Sequence, residues 1–283
     1  MSTMKILIFG QTGQVATEVQ RQSDVIALGR DVADLCDVDA LRAAIRHHQP
    51  DVVINAAAYT AVDRAEEEEA LALAVNGVAP GAMAQECAAQ DIPFVHVSTD
   101  YVFDGSGTAP WTALDSVDPQ NAYGRTKLAG EVAVRAAGGN HAILRTSWVF
   151  SAHGANFVKT MLRLGETRDA LNVVGDQIGG PTPAADIAAT LLDMSAQMVK
   201  GQQGGTYHYV GTPAASWADF ATEIFAQANA NVTVTGIPTS EYPTPASRPL
   251  NSRMDCGSLR EDFKIAAPNW KGGLRRVLAE LQK

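Results

Sequence analysis

The chain has 283 residues, 46% of them hydrophobic and 19% charged, enough apolar material to bury a core and far too much for a small stapled scaffold. Its 22 basic and 31 acidic side chains leave a net charge of −9, which repels phosphate backbones and argues against nucleic acid as the main partner. A few local arginines can still outweigh that field inside a cleft, so an anionic small substrate remains open.

Cys36, Cys87 and Cys256 lie far apart with no CxxC and no metal-ligand spacing, which fits a reducing compartment rather than a disulfide framework or a zinc site. The apolar run Ile6 to Phe9 is too short for a signal-peptide core, and no stretch approaches the ~20 residues of a membrane span. We therefore expect a soluble, cytoplasmic protein with no membrane contact.

In chain order, strands are expected at Lys5 to Phe9, Val25 to Leu28, Val52 to Asn55, Phe94 to Ser98 and His141 to Leu144. Helical stretches alternate with them at Gln14 to Gln22, Asp39 to His48, Glu67 to Ala89 and Tyr123 to Ala137. This rhythm predicts an α/β fold, a Rossmann-like doubly wound parallel sheet covered on both faces. A helix near Asn156 to Leu164, a strand near Leu171 to Val174, a helix near Pro183 to Met198 and a strand near Thr206 to Tyr209 follow. Helices near Trp217 to Gln227 and Leu274 to Gln282 enclose a proline-rich stretch, Pro238 to Pro249, expected as a loop over a cleft. The organisation expected is a dinucleotide-binding domain over residues 1–150 and a smaller α/β substrate-binding lobe over 151–283. Segments near 171–178 and 204–210 are expected to return to the main sheet.

The first strand runs directly into Gly10-Gln11-Thr12-Gly13-Gln14-Val15-Ala16, which opens a helix. Glycines there let the backbone approach a pyrophosphate at the helix N-terminus, and Ala16 is small enough to stand where a third glycine eases helix-to-strand packing. At the end of the second strand Arg30 can pair with a 2′-phosphate, favouring NADPH, and Asp31 can accept from a free 2′-hydroxyl, favouring NADH. Both cofactors remain open.

The fourth strand leads into Ser98-Thr99-Asp100-Tyr101, and the next helix carries Tyr123 and Lys127 four residues apart, on one face and one turn apart. With six tyrosines and seven lysines, chance supplies only about 0.15 such pairs. A tyrosine is a poor acid-base group at neutral pH until a nearby cation stabilises its phenolate, and Lys127 can be that cation.

These residues resemble the extended short-chain dehydrogenase/reductases and, among them, the dTDP-4-dehydrorhamnose reductase family. The resemblance covers nearly the whole chain. It rests on GQTGQVA from Gly10, NAAAYTAVDRAE from Asn55, STDYVF from Ser98, YGRTK from Tyr123 and RTSWVF from Arg145. The discriminating motifs are NFVKTMLRL from Asn156, DQIGGPT from Asp176 and YPTPASRPLNSRMD from Tyr242.

The resemblance implies NAD(P)H-dependent reduction of the C4 ketone of dTDP-4-dehydro-L-rhamnose to dTDP-L-rhamnose, in the supply of an activated sugar for cell-surface polysaccharide. Tyr123 would protonate the developing alkoxide, Thr99 would hydrogen-bond the same oxygen, and Lys127 would hold the nicotinamide ribose and keep Tyr123 competent. It also implies cofactor contacts at Gly10, Thr12, Gly13, Gln14 and Val15 for the pyrophosphate, with Asp34 and Leu35 near the adenine. Ala56, Ala57, Ala58, Tyr59 and Thr60 would lie beside the ribose and nicotinamide, while Asn76 is either a cofactor contact or an interior amide. Substrate contacts are implied at Thr99, Asp100, Tyr101 and Trp148, with Trp148 alternatively core at the lobe junction; Asn156 and Arg248 are candidates for the thymine and diphosphate.

Some family members hold magnesium between subunits with glutamates. Glu18 matches one such position, but Ala185 stands at a second and the adjacent Asp186 would point elsewhere on a helix, so no metal site is expected here and the chain is a monomer or a metal-free homodimer. The acidic run Glu66 to Glu69 is expected as a solvated helical turn. Two competing functions are an epimerase or dehydratase of the same fold, the dehydratase disfavoured because Asp100-Tyr101 follows Thr99 in place of an Asp-Glu pair, and a non-catalytic relative, disfavoured by Thr99, Tyr123 and Lys127 standing together.

Overall fold

The computed structural model describes residues 4–282. Strands β1 (Ile6–Phe9), β2 (Ile26–Leu28), β3 (Val52–Asn55), β4 (Phe94–Thr99) and β5 (His141–Thr146) are short apolar runs, several β-branched, and all but β2 are buried along nearly their whole length. Beyond β5 come β6 (Val149–Phe150), β7 (Ala170–Val174), β8 (Ile178–Gly179), β9 (Thr182–Pro183), β10 (Thr206–His208), β11 (Ala215–Ser216), β12 (Thr233–Ile237) and β13 (Asn251–Ser252). The main sheet has the order β2-β1-β3-β4-β5-β10, every neighbouring pair parallel. The chain leaves β1 to one side for β2 and returns to the other for β3, so the strand order reverses between β1 and β3, where α/β sheets open a crevice at their carboxyl ends.

Helices α1 (Gln14–Gln22), α2 (Val38–His48), α3 (Val62–Ala65), α4 (Glu69–Leu73), α5 (Ala79–Ala89), α6 (Ala122–Ala136), α7 (Phe157–Gly165), α8 (Ala184–Val199), α9 (Trp217–Gln227), α10 (Gly257–Phe263) and α11 (Trp270–Leu281) complete the fold. One sheet face packs on α1, α8 and α10 through Val19, Leu191 and Phe263, the other on α2, α5 and α6 through Leu41, Met83 and Val134. A third core, built from Phe150, Val158, Phe220, Phe225 and Trp270, joins α7, α9 and α11.

Three sequence expectations need correction. The long helix expected at Glu67 to Ala89 is broken into α4, a π turn over Ala74–Val78 and α5, whose first turn holds Pro80; a proline has no N–H to continue the helical ladder. The segment at 171–178 does not return to the main sheet, because β7 pairs along its whole length with β12, a strand the sequence reading placed in no element. Residues 206–208 do join the main sheet, beside β5. The second half is also more than a separate lobe, since α8 and α10 cover a face of the main sheet.

Candidate active site

A cleft of about 1000 Å³ opens at the carboxyl ends of the main-sheet strands. The glycine loop forms one wall. Gly10 sits at φ +114°, a conformation that side chains rarely adopt, and a Cβ on it would press on Ala57 N and Ala16 Cβ at 3.3 and 3.4 Å. Gly13 is the N-cap of α1, has no side-chain cap, and has nothing within 4 Å of where a Cβ would stand. The first-turn N–H groups of a nine-residue helix are thus left to an incoming anion, and this cradle fits a nucleotide pyrophosphate. Arg30, mostly exposed, and Asp31 line the cleft beyond β2; Asp34 bonds Arg30 at 3.3 Å, and the backbone N–H of Cys36 holds its carboxyl below the usual range.

Thr12, Gln14, Val15, Leu35, Ala56, Ala57, Ala58 and Thr60 line the same cleft. Tyr59 does too, with its hydroxyl donating to Glu68 at 2.5 Å and Arg64 holding the other oxygen of that carboxylate. The acidic run is therefore not simply a solvated turn. Glu66 Oε1 accepts from Ala122 N at 2.8 Å at the start of α6, and Glu69 holds Arg125 with two bonds of 2.9 Å. Asn121 caps α6 through Gly124 N at 2.7 Å while its amide donates to Ser247 O, so the start of this helix is fixed from three sides.

That helix carries Tyr123 and Lys127 into the cleft opposite Thr99, at the end of β4. Loss of hydration pushes the Tyr123 phenol up to about 12, against the Thr99 hydroxyl, which draws it down. The phenol therefore carries its proton at neutral pH. Lys127 is buried, its Nζ donating to Val97 O at 2.7 Å, and burial lowers it to about 8 against the pull of Glu131. Tyr101 meets Tyr123 edge to face at 5.4 Å.

Thr99 Oγ1 donates to Asp100 Oδ1 at 3.0 Å, and burial raises the Asp100 carboxyl to about 6. Asp100 Oδ2 and Thr146 Oγ1 are buried without a protein partner, and both residues line the cleft. Unpartnered oxygens at such a wall suit a polyhydroxylated ligand. Trp148 lines the cleft at φ +49° and stacks on Trp217 with ring centroids 3.6 Å apart, so it is at once a wall of the cleft and a bridge into the third core.

Three expected contacts lie elsewhere. Asn76, on the π turn, is an interior amide: Oδ1 accepts from Tyr59 N at 2.8 Å, and Nδ2 donates to Tyr59 O and Thr126 Oγ1. Asn156 caps α7 and spends its amide on Gln14 Oε1, Ser151 O and His153 O. Arg248, on the proline-rich segment, pairs with Asp63 at 2.8 Å and does not line the cleft, although its Nη1 is buried and unpartnered. The sequence reading missed Thr146, which ends β5, and Ser147, which follows it, and also Arg64 and Glu68, which hold Tyr59. The first two stand at a strand's carboxyl end, where ligand contacts concentrate.

Glu18, His153 and Glu280 offer ligand atoms within 4.8 Å of one another. Arg21 already binds Glu280 and His153 and lies 3.5 Å from Glu18, so a guanidinium supplies the positive charge in this cluster; Asp186 faces Arg276 instead. Within one chain both carboxylates of the cluster are thus paired with Arg21.

The family model for the RmlD substrate binding domain matches residues 4–283. The dTDP-4-dehydrorhamnose reductase of Sinorhizobium fredii is 42% identical over 97% of each chain. Among solved structures, a dTDP-4-dehydrorhamnose reductase from Clostridium acetobutylicum superposes with a TM-score of 0.93 at 40% identity, over 99% of this chain and all of the other. The dTDP-4-dehydrorhamnose reductase of Bacillus anthracis, solved in complex with NADP, gives 0.93 at 33% identity with the same coverage. No helix among the described residues is long and apolar enough to cross a membrane.

Proposed function

The chain belongs to the family of the RmlD substrate binding domain, that of the dTDP-4-dehydrorhamnose reductases, and on that premise we propose that it reduces the C4 ketone of dTDP-4-dehydro-L-rhamnose with Tyr123 as proton donor. The observation that carries this reading is the meeting of Thr99, Tyr123 and Lys127 with the glycine cradle in one cleft. NADPH or NADH, when bound, supplies the hydride. The first turn of α1 would hold its pyrophosphate, and Arg30 and Asp31 would serve its adenosine ribose. Tyr123 releases its phenolic proton to the carbonyl oxygen as negative charge develops there, and the Thr99 hydroxyl turns its one proton from Asp100 to the same oxygen. Lys127 keeps the resulting phenolate low in energy until it regains a proton. Asp100, Thr146 and Trp148 form the sugar wall, with Asp100 Oδ2 free to accept from a ring hydroxyl.

The test follows the absorbance of NADPH, then NADH, with dTDP-4-dehydro-L-rhamnose generated in place. Stoichiometric oxidation is expected, equally with magnesium and with a chelator. A bound cofactor that returns unchanged while the sugar isomerises or loses water would replace the reductase reading with an epimerase or dehydratase. Binding without any turnover would leave a non-catalytic relative.

A further inference from the structure

Behind Lys127 lies a polar side chain in an apolar strand. His96, in the middle of β4, is fully buried between Val95 and Val97, so its ring nitrogens need partners. Nδ1 faces Asn55 Nδ2 at 3.1 Å and Nε2 faces Lys127 Nζ at 3.4 Å.

The direction of these contacts is fixed by a backbone group. Asn55 Oδ1 accepts from the N–H of Ala57 at 3.1 Å, and a backbone N–H can only donate. The amide nitrogen of Asn55 must therefore face the imidazole, Nδ1 must accept, and the single proton of the neutral ring sits on Nε2. Burial and the neighbouring Lys127 ammonium hold the ring well below its ordinary value, which keeps it neutral. Its one N–H is thus aimed at the lysine.

Two groups around Lys127 pull the other way, Val97 O accepting from Nζ at 2.7 Å and the Glu131 carboxylate attracting the ammonium. Tyr123 stands one turn back on α6 and is a neutral phenol. Glu131, one turn on, is committed to Arg145 of β5 by bonds of 2.7 and 2.9 Å and to Ser98 at 2.7 Å. A lysine amine has a lone pair to accept the imidazole N–H, and an ammonium has none.

We propose that Asn55 and His96 form a positioning pair that presents an N–H to Lys127 and loosens that lysine's hold on its proton. The functional meaning rests on reading Lys127 as the partner of Tyr123. A lysine that releases its proton near working pH exchanges it with the tyrosine more readily than an ordinary one.

The experiment titrates the protein without ligand, so it does not depend on turnover. In the parent chain, imidazole ¹⁵N shifts are expected to show His96 protonated on Nε2 and bare on Nδ1; the opposite tautomer overturns the proposal. The side-chain ¹⁵N signal of Lys127, assigned by its loss in Lys127→Arg, is then followed with pH in two variants. Asn55→Asp still accepts from Ala57 N–H but draws the histidine proton to Nδ1, turning Nε2 into an acceptor for the ammonium. His96→Asn places an amide at the Nδ1 position and withdraws the Nε2–H. Both are expected to raise the Lys127 midpoint by about one pH unit, a tenfold gain in proton affinity. A folded variant whose midpoint stays within about 0.3 unit of the parent, or falls, overturns the proposal, and either variant decides alone if the other does not fold. If the parent titrates as expected yet reduces no 4-keto sugar, the functional reading fails and the positioning pair stands.

Discussion

Gly130 sits two turns beyond Tyr123 on α6, where that helix crosses the π turn. A Cβ there would lie 2.1 Å from the carbonyl oxygen of Asn76, where ordinary contact begins at 3.4 Å. The obstacle is backbone, so no rotamer change relieves it, and α6 must move off the π turn by about 1 Å. Replacing a helical glycine by alanine gains about 1 kcal/mol in intrinsic propensity, whereas forcing a close-packed contact apart costs about 1–3 kcal/mol. Gly130→Ala is therefore expected to lose up to about 2 kcal/mol, lowering Tm by up to about 4 °C in a chain of this size. The same movement pulls on the Asn76 amide, which holds Tyr59 by both backbone groups, and on Tyr123 and Lys127 themselves. A shift near 1 Å in reacting groups costs up to about 10² in rate, so kcat is expected to fall at least tenfold. Urea denaturation and NADPH oxidation measured on one preparation check both figures. An alanine variant more stable than the parent, with kcat intact, would refute the reasoning.

Three further outcomes are expected. Tyr123→Phe should reduce kcat by about 10² or more and leave NADPH affinity unchanged by fluorescence titration, since the general acid is lost and the cradle is not. Arg30→Ala should raise KM for NADPH about tenfold and leave that for NADH within about twofold, because only the former offers a 2′-phosphate. Burial, aided by Arg145, lowers His208 to about 4, so the folded state takes up its proton later than the unfolded chain and stability falls as pH drops from about 6.5 toward 4. His208→Gln should make that fall shallower by one proton, about 1.4 kcal/mol per pH unit, in urea denaturation at a series of pH values.

Much of this architecture is legible in the sequence because it is set by local rules. Apolar runs of four to six residues followed by glycine or by Ser-Thr mark the main strands and their carboxyl ends, and a four-residue spacing suffices to put Tyr123 and Lys127 on one face. Long-range pairing is what local pattern does not hold. The partner of β7 is β12, some sixty residues away, and nothing in Ala170 to Val174 distinguishes that edge from one on the main sheet. Asn76 and Asn156 have the right chemistry for ligand contacts, yet the first satisfies the backbone of Tyr59, a pairing local pattern does not hold, and the second caps its own helix through Lys159 N–H. His96 carried a signal of its own, a titratable ring inside FVHVST, whose meaning appears only when Asn55 and Lys127 are seen beside it.

The sixth strand of the main sheet has a consequence for how the chain is made. β10 pairs with β5 but follows it by about sixty residues, so during synthesis at about 5–20 residues per second the edge of β5 waits roughly 3–12 s for its neighbour. Until then the backbone groups along that edge of β5 face solvent, open to pairing with another chain. Glu131 reaches Arg145 from α6, and α6 is synthesised before β5. The ion pair that ties helix to strand can therefore form while the sheet is still open at that edge, placing a charged anchor at an otherwise unguarded strand of the nascent protein.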